Sequence, residues 1–279
     1  MDYFIPLPGT TAPSFASSTL VLPQPSLSSV AQLACDLLVH NCALELVGYL
    51  GVRDYVPAVG GRDALPGSDG GGETDSEGLS LGTEVYTNSS RSLTLVLPRA
   101  PVIRARKAHH LDAMHRFVAA GGFRDVLVVA GVDAAMRGDE ALNAPTPLRH
   151  LIPSSSSSST ASSPLFTALQ SLAPPYSSPS PSPTSLPSLP HAGLTRSLLS
   201  SLSAPSSPAP APAPRIAALL AYTAEGPSAP LAHELATSLA RVLELPLLPG
   251  GGWTEPLSWE RGLMGVELER DGAGREMFS

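Results

Sequence analysis

Positive charge, cysteine and long apolar runs are all scarce in this sequence of 279 residues. Lysine and arginine number 17 against 24 aspartates and glutamates, which leaves a net charge of −7. Nucleic-acid binding needs clustered cations, so we expect no nucleic-acid partner. No stretch reaches the roughly 18 apolar residues of a membrane-spanning helix, and we expect no membrane association. The first residues lack the basic start of a signal peptide.

The two cysteines, Cys35 and Cys42, lie seven positions apart on one predicted helix, too far along it for a disulfide. Free thiols are typical of proteins in a reducing compartment. We therefore expect the protein in the cytoplasm and the nucleus, and we expect the sequon at Asn88 to stay unglycosylated.

Residues 154–214 consist almost entirely of Ser, Pro and Ala, and Arg196 is the only charged residue among them. This composition predicts a disordered insertion, because it offers little apolar surface to bury. The roughly 215 residues outside it suit one medium-sized domain. The predicted organisation is a single domain made of residues 1–153 and 215–265, interrupted by the insertion and followed by a flexible tail at 266–279.

Apolar patterning predicts the fold class. Strands are expected at 19–23, 46–50, 82–87, 92–97, 125–131 and 215–222, and helices after Ser26, at 107–120 and at 231–245. Ser26 is a candidate cap for the first helix. Alternation of strands and helices predicts an α/β fold, a central β-sheet flanked by helices. The unbroken apolar run at 125–131 is typical of a strand covered on both faces.

One catalytic motif is present. Gly78-Leu79-Ser80-Leu81-Gly82 matches the G-x-S-x-G pattern of hydrolases, whose serine lies between a strand and a helix. Here a polar loop precedes Ser80 and a strand follows it, which disfavours that chemistry. If the protein is instead an enzyme, its candidate active site is either Ser80 or the acidic loop with Asp133, Asp139 and Glu140 after the 125–131 strand.

The helix predicted at 107–120 begins among ionisable side chains. Its possible metal ligands are His109, His110, Asp112 and His115, and its cations are Arg104, Arg106 and Lys107. No H-E-x-x-H or C-x-x-C motif accompanies them, so an exposed polar helix start is favoured over a metal site or a nucleic-acid-binding patch. We expect no cofactor. Trp253 and Trp259 suit either a binding hot spot or packing of the chain end.

Several short segments occur in a fixed order along the chain. They are the strand ending at Pro23, Ser28-Ser29-Val30-Ala31-Gln32-Leu33-Ala34-Cys35-Asp36, Val47-Gly48-Tyr49-Leu50, Val56-Pro57-Ala58-Val59-Gly60-Gly61, Thr83-Glu84-Val85-Tyr86, Thr146-Pro147-Leu148-Arg149-His150-Leu151 and Trp253-Thr254-Glu255-Pro256-Leu257-Ser258-Trp259. Together they resemble the proteasome assembly chaperone 2 family of eukaryotes, from about residue 19 to 265 apart from the insertion. In that alignment Ser80 is a strand residue.

The resemblance implies a chaperone with no reaction and no cofactor. Members of the family form a heterodimer with a proteasome assembly chaperone 1-like subunit and bind the outer face of the 20S proteasome α-ring. They promote ring assembly and block premature binding of regulators. An unrelated α/β interaction adaptor is the remaining alternative to this class and to the enzyme.

The resemblance also implies a role for the chain end. Related chaperones and activators insert tails that end in hydrophobic-Tyr-any residue between α-subunits. Met277 would occupy the apolar slot, Phe278 would replace the tyrosine without its hydroxyl, and the carboxylate of Ser279 would pair with a pocket lysine. The alternative is a frayed terminus without a role.

Overall fold

A computed structural model of the chain describes residues 3–63, 79–138, 142–153, 163–178, 186–204, 213–226, 228–247 and 252–260. The strands in these residues are β1 (Phe4–Pro6), β2 (Thr19–Pro23), β3 (Glu45–Leu50), β4 (Val59–Gly61), β5 (Leu79–Leu81), β6 (Thr83–Thr87), β7 (Leu93–Pro98), β8 (Asp125–Asp133), β9 (Leu148–Leu151) and β10 (Arg215–Thr223). The helices are α1 (Val30–Asn41), α2 (Lys107–Gly121), α3 (Pro164–Leu172), α4 (Thr195–Ser203), α5 (Ala229–Val242) and α6 (Leu257–Glu260). None of these helices is long and apolar enough to cross a membrane.

Eight of the described strands form one mixed sheet in the order β1-β3-β6-β7-β2-β8-β10-β9. Its centre is parallel, because β7, β2, β8 and β10 run in the same direction. The outer strands join by antiparallel pairing. β4 and β5 pair with each other as a separate ribbon. The predicted α/β fold with a central sheet is confirmed.

Helices cover both faces of this sheet. Along β8 the side chains alternate, so that Leu127 and Val129 join the core under α1, α3 and α5, whereas Val126, Val128 and Ala130 join the core under α2 and α4. α1 packs against α5, and α2 packs against α4. This two-sided burial explains the unbroken apolar run that the sequence shows at 125–131.

Ser26 does not cap a helix in the predicted way. It precedes a 3-10 turn at Leu27–Ser29, and its side chain makes no cap hydrogen bond. Instead, its Oγ accepts a hydrogen bond of 2.8 Å from the backbone N–H of Gly131 at the end of β8. The helix itself begins at Val30, after Ser28 and Ser29, which both have positive φ. Ser26 therefore fixes the loop before α1 to the sheet.

Two pieces of the Ser/Pro-rich tract are folded, which corrects the prediction that the whole of 154–214 is disordered. α3 buries Leu165, Phe166 and Leu169 in one core, and Phe166 is only 1% exposed. α4 buries its leucines in the other core. The segment before α4 is also fixed, because the carbonyl of His191 accepts from the N–H of Leu27 at 3.1 Å. Leucine and phenylalanine at helical spacing supply the apolar surface that the composition argument overlooked. The remainder of the tract lies outside the described residues.

Two strands of the eight-stranded sheet occur where none was predicted. β9 lies between the strands predicted at 125–131 and 215–222, where no element was predicted, and it pairs with β10. β1 pairs with β3 and brings the first described residues into the sheet. Gly48 on β3 permits this pairing, because a Cβ there would lie 2.3 Å from the carbonyl oxygen of Ile5.

Candidate interaction site

The predicted docking residues Met277, Phe278 and Ser279 lie outside the described residues, and so do Asp139 and Glu140 of the acidic loop. The segment before the tail is well anchored. Asn41 of α1 donates to the carbonyl of Thr254 and accepts from its N–H, both at 2.9 Å.

Both tryptophans near the chain end pack onto the domain. Trp259 is 5% exposed and lies in the core beside α5. The indole N–H of Trp253 donates to Oγ1 of Thr237 at 2.8 Å. Of the two interpretations that the sequence leaves open, the geometry of these side chains matches packing of the chain end.

Ser80 has no catalytic partners among the described residues. Its Oγ donates a hydrogen bond of 2.8 Å to Oε1 of Glu84. Glu84 is fully buried and also accepts from the hydroxyl of Tyr86 and from Nε of Arg99, each at 2.9 Å. A serine nucleophile needs a base that removes its proton, commonly a histidine. Ser80 instead contributes to a buried ion network.

Arg99 is the centre of that network. Its Nη1 donates to Asp36 on α1 at 2.5 Å, and its Nε donates to Glu84 on β6. Burial by itself lowers the pKa of Arg99, but the two carboxylates raise it well above its ordinary value, so the guanidinium stays charged. The network connects α1, β6 and the end of β7, and its role is structural.

Asp36, His40 and Asp63 form the group that comes closest to a metal site in the described part of the chain, with possible ligand atoms within 4.8 Å of one another. Asp36 is already paired with Arg99, and the carboxylate of Asp63 accepts from the backbone N–H and the hydroxyl of Ser258. These contacts account for the position of both carboxylates, and we assign no metal to the group. The candidate ligands predicted around α2 have other partners in the described residues: His109 contacts Asp54, His110 contacts Tyr3, and Asp112 pairs with Arg116 at the surface.

A second ionic cluster surrounds Asp54, which sequence reasoning did not single out. Asp54 lies in the 3-10 turn Val52–Asp54 after β3 and is fully buried. Its carboxylate accepts from the hydroxyl of Tyr3 at 2.7 Å and from Nε of Arg106 at 2.5 Å. Nδ1 of His109 lies 2.9 Å from Oδ2 of Asp54. The cluster therefore joins the chain start, the turn after β3 and the start of α2.

Protonation states follow from this geometry. Burial by itself raises the pKa of Asp54, but hydrogen bonds from Tyr3, Arg106 and His109 outweigh it and hold that pKa below its ordinary value. Tyr3 gives its only proton to Asp54, so Nδ1 of His110, 3.1 Å from the Tyr3 oxygen, must be the donor in that contact. Burial lowers the pKa of His110 to about 4, which leaves its ring neutral at neutral pH.

A cavity of about 500 Å³ opens beside this cluster, between α2 and the elements β1 and Val52–Asp54. One wall of the cavity is formed by Arg106 and by residues on one face of α2. The opposite wall is formed by β1 and the turn after β3. The lining residues are Arg106, His109, Ala113, Arg116, Phe117 and Ala120 on the first side and Tyr3, Ile5, Gly51, Val52 and Arg53 on the second. The cavity thus combines buried apolar side chains with the cations Arg53, Arg106 and Arg116.

The basic cluster of the sequence therefore has two distinct parts in the structure. Arg106 and His109 contact the carboxylate of Asp54 while their side chains stay 40% and 50% exposed, whereas Arg104 and Lys107 are exposed at the surface. The sequence could not indicate this division, because Asp54 lies 52 residues before Arg106 and 55 before His109.

The architecture defines a class of proteins with known structures. Pyrococcus furiosus PbaA, an archaeal homolog of proteasome-assembly chaperone, superposes with a TM-score of 0.55 at 13% identity over 86% of this chain and 87% of its own. P. furiosus PbaB, an archaeal proteasome activator, gives 0.55 at 14% identity over 88% and 91%. A PAC2 family protein from Streptomyces avermitilis gives 0.51 at 16% identity over 84% and 89%. At these identities the likeness shows a shared fold.

The family is shown by sequence. The PAC2 family model matches residues 20–241, and the chain belongs to the PAC2 family. Proteasome assembly chaperone 2 of Danio rerio is 30% identical over 144 residues, which are 52% of this chain and 53% of that protein. The human protein of the same name is 30% identical over 149 residues, 53% of this chain and 54% of its own length. The match thus spans about half the length of these relatives, and it confirms the family resemblance seen in the sequence.

Proposed function

We propose that this protein is a non-catalytic chaperone of proteasome assembly. It forms a heterodimer with a proteasome assembly chaperone 1-like subunit, binds α-subunits of the 20S α-ring and promotes assembly of that ring in the cytoplasm and nucleus. The observation that carries the proposal is membership of the PAC2 family, together with relatives named Proteasome assembly chaperone 2.

Two features of the described residues support a binding role. Ser80 donates a hydrogen bond to the buried carboxylate of Glu84, so the serine of the hydrolase motif has a structural role. The cysteines Cys35 and Cys42 are both unpaired and buried. Burial raises the pKa of Cys42 to about 11 and that of Cys35 further, so neither thiol is an activated nucleophile at neutral pH.

We propose that the chain end contributes directly to α-ring binding. Met277 fills an apolar pocket, Phe278 takes the position of a tyrosine, and the carboxylate of Ser279 pairs with a lysine between two α-subunits. Residues 261–279 follow the anchored segment and could extend up to about 60 Å. That length is ample for a tail to reach a pocket next to the domain.

Co-purification from cells tests this proposal. The full chain, with an N-terminal tag and a free Ser279, is compared with a chain that lacks residues 277–279. We expect the full chain to bring down α-subunits and a related chaperone. The shortened chain should keep the related chaperone and lose most of the α-subunits, because the heterodimer surface is intact.

A third chain with two glycines added after Ser279 is the matched control, since it keeps every native residue and only displaces the carboxylate. It should behave like the shortened chain. Recovery of α-subunits at an undiminished level by both altered chains would refute the docking role of the tail. Failure of the full chain to recover any α-subunit would refute the chaperone proposal itself.

A further inference from the structure

We propose that the cavity between α2 and the turn Val52–Asp54 binds an acidic segment of a partner protein, with an apolar side chain inside the cavity and carboxylates at its rim. The inference deepens the proposed function, because it names the chemistry by which the chaperone holds one of its protein partners. It uses Arg53 and Arg116, two exposed cations that line this cavity.

The interior of the cavity suits an apolar side chain. Ala113 and Phe117 are buried residues of α2 that form its inner wall, and Val52 closes the opposite side. Ile5 lies at the mouth and is 54% exposed, although it is a large apolar residue on the outermost strand of the sheet. Pockets of about 300 Å³ and above hold whole ligand groups, so a cavity of about 500 Å³ has room for an aromatic or branched aliphatic side chain.

The charges that surround Asp54 are already balanced. Arg106 and His109 both point to the carboxylate of Asp54, which also accepts from Tyr3. A small anion that entered deeply would approach Asp54 and would have to displace it from these partners. The cluster at Asp54 therefore disfavours binding of inorganic phosphate and similar ions.

The rim, by contrast, offers cations that a ligand can engage. Arg53 is exposed and makes no hydrogen bond or ion pair with the part of the chain that the structure describes. Arg116 pairs with Asp112 at 2.9 Å, but their side chains are 66% and 63% exposed. Exposed pairs of this kind contribute little, so Arg116 can exchange Asp112 for a carboxylate of a ligand.

Charge complementarity selects the occupant. The chain as a whole carries a net charge of −7, yet three arginines, Arg53, Arg106 and Arg116, line this one cavity. A local excess of positive charge attracts acidic segments, and it repels the same positive patch on a second copy of the chain. An apolar residue flanked by glutamates or aspartates therefore matches both the walls and the rim.

Fluorescence anisotropy with purified full chain tests the inference. The probe is a fluorescein-labelled peptide of sequence Glu-Asp-Phe-Glu-Asp, compared with the same peptide carrying alanine in place of phenylalanine and with Lys-Lys-Phe-Lys-Lys. We expect the first peptide to bind at least about tenfold more tightly than either of the others, because each comparison peptide lacks one of the two matching features. Raising the salt from 50 to 500 mM should weaken the binding.

Matched variants locate the site. Arg53→Glu and Arg116→Glu should together weaken binding of the acidic peptide about tenfold, whereas Arg241→Glu, an exposed reversal on α5, should leave it unchanged. Ala120→Trp places a bulky ring at the exposed mouth of the cavity without changing any charge and should abolish binding. Its control is Ala119→Trp, which adds the same ring at the neighbouring exposed residue outside the lining. Circular dichroism melting of each variant verifies its fold.

Three outcomes would overturn the inference: equal binding of the acidic and lysine peptides, equal loss in Ala119→Trp and Ala120→Trp, or displacement of the peptide by millimolar inorganic phosphate at constant ionic strength. The last would identify a small-anion site. None of these measurements contains a proteasome subunit. A negative result would therefore overturn the peptide site alone, and the proposed function would still be tested by the co-purification.

Discussion

Replacing Arg99 with methionine should destabilise the fold strongly, because this single side chain balances two buried acids. Its guanidinium bonds to Asp36 at 2.5 Å and to Glu84 at 2.9 Å. The side chain of Glu84 is 0% exposed and that of Asp36 is 7% exposed. Methionine retains most of the aliphatic stem of arginine, so the change removes the charge and the hydrogen bonds with little loss of packing.

Breaking a buried ion pair by removing one partner costs about 3–5 kcal/mol, since the other partner is left charged and without its hydrogen bonds. The Arg99 side chain is 26% exposed, so water can solvate part of the site and the lower end of that range applies. A loss of about 3 kcal/mol corresponds to a fall in Tm of roughly 6–12 °C for a domain of 150–250 residues.

Urea unfolding followed by tryptophan fluorescence and by circular dichroism measures this loss, and agreement between the two probes verifies two-state behaviour. Arg116→Met is the matched control, because its pair with Asp112 is exposed and should contribute less than about 1 kcal/mol. Adding Glu84→Gln to Arg99→Met should recover part of the stability by removing the unpaired charge. Equal effects of Arg99→Met and Arg116→Met would refute the reasoning.

Two further predictions concern the cluster at Asp54 and the tract between β9 and β10. Burial lowers the pKa of His110 from 6.5 to about 4. Between these pH values His110 binds a proton in the unfolded chain but stays neutral in the folded chain, so the free energy of unfolding should decrease by up to about 3 kcal/mol as the pH is lowered from 6.5 to 4. His110→Asn keeps a donor for Tyr3 and should flatten urea-unfolding free energies over that range; an unchanged slope would contradict the assignment. Phe166→Ala should cost about 3–5 kcal/mol in the same assay, because Phe166 is only 1% exposed, whereas the exposed neighbour variant Thr167→Ala should cost little. Similar stabilities of these two variants would show that α3 is not part of the core.

The sheet and its principal helices could be predicted because their signals are local. The apolar runs of β8 and β10 and the helical spacing in α1 and α2 are readable in windows of 7 to 15 residues. β1 and β9 could not be found in this way, since strands of three and four residues carry almost no periodic signal and form only against β3 and β10.

The error in the Ser/Pro-rich tract has a different cause. Average composition hid two amphipathic helices of nine residues each, although Leu165, Phe166 and Leu169 and then Leu198, Leu199 and Leu202 have the spacing of a buried helix face. A search for apolar spacing inside the tract would have indicated both helices.

The cluster at Asp54 was out of reach for sequence reasoning. Its members come from the chain start, from the turn after β3 and from the start of α2, so that Tyr3 is 51 residues from Asp54 and 107 from His110. The sequence shows Arg106 and His109 as part of a basic cluster, but it does not show that both contact the buried carboxylate of Asp54. Only the assembled fold brings the cations to the cavity.

We propose above that this chain promotes formation of the proteasome α-ring. The most direct measurement is the yield of α-rings on native gels when purified α-subunits are mixed with the chain and its related chaperone subunit, in comparison with the α-subunits alone. We expect a higher yield of complete rings with the pair, and a yield close to that of α-subunits alone when residues 277–279 are removed. An unchanged ring yield in the presence of the intact, heterodimeric pair would contradict it.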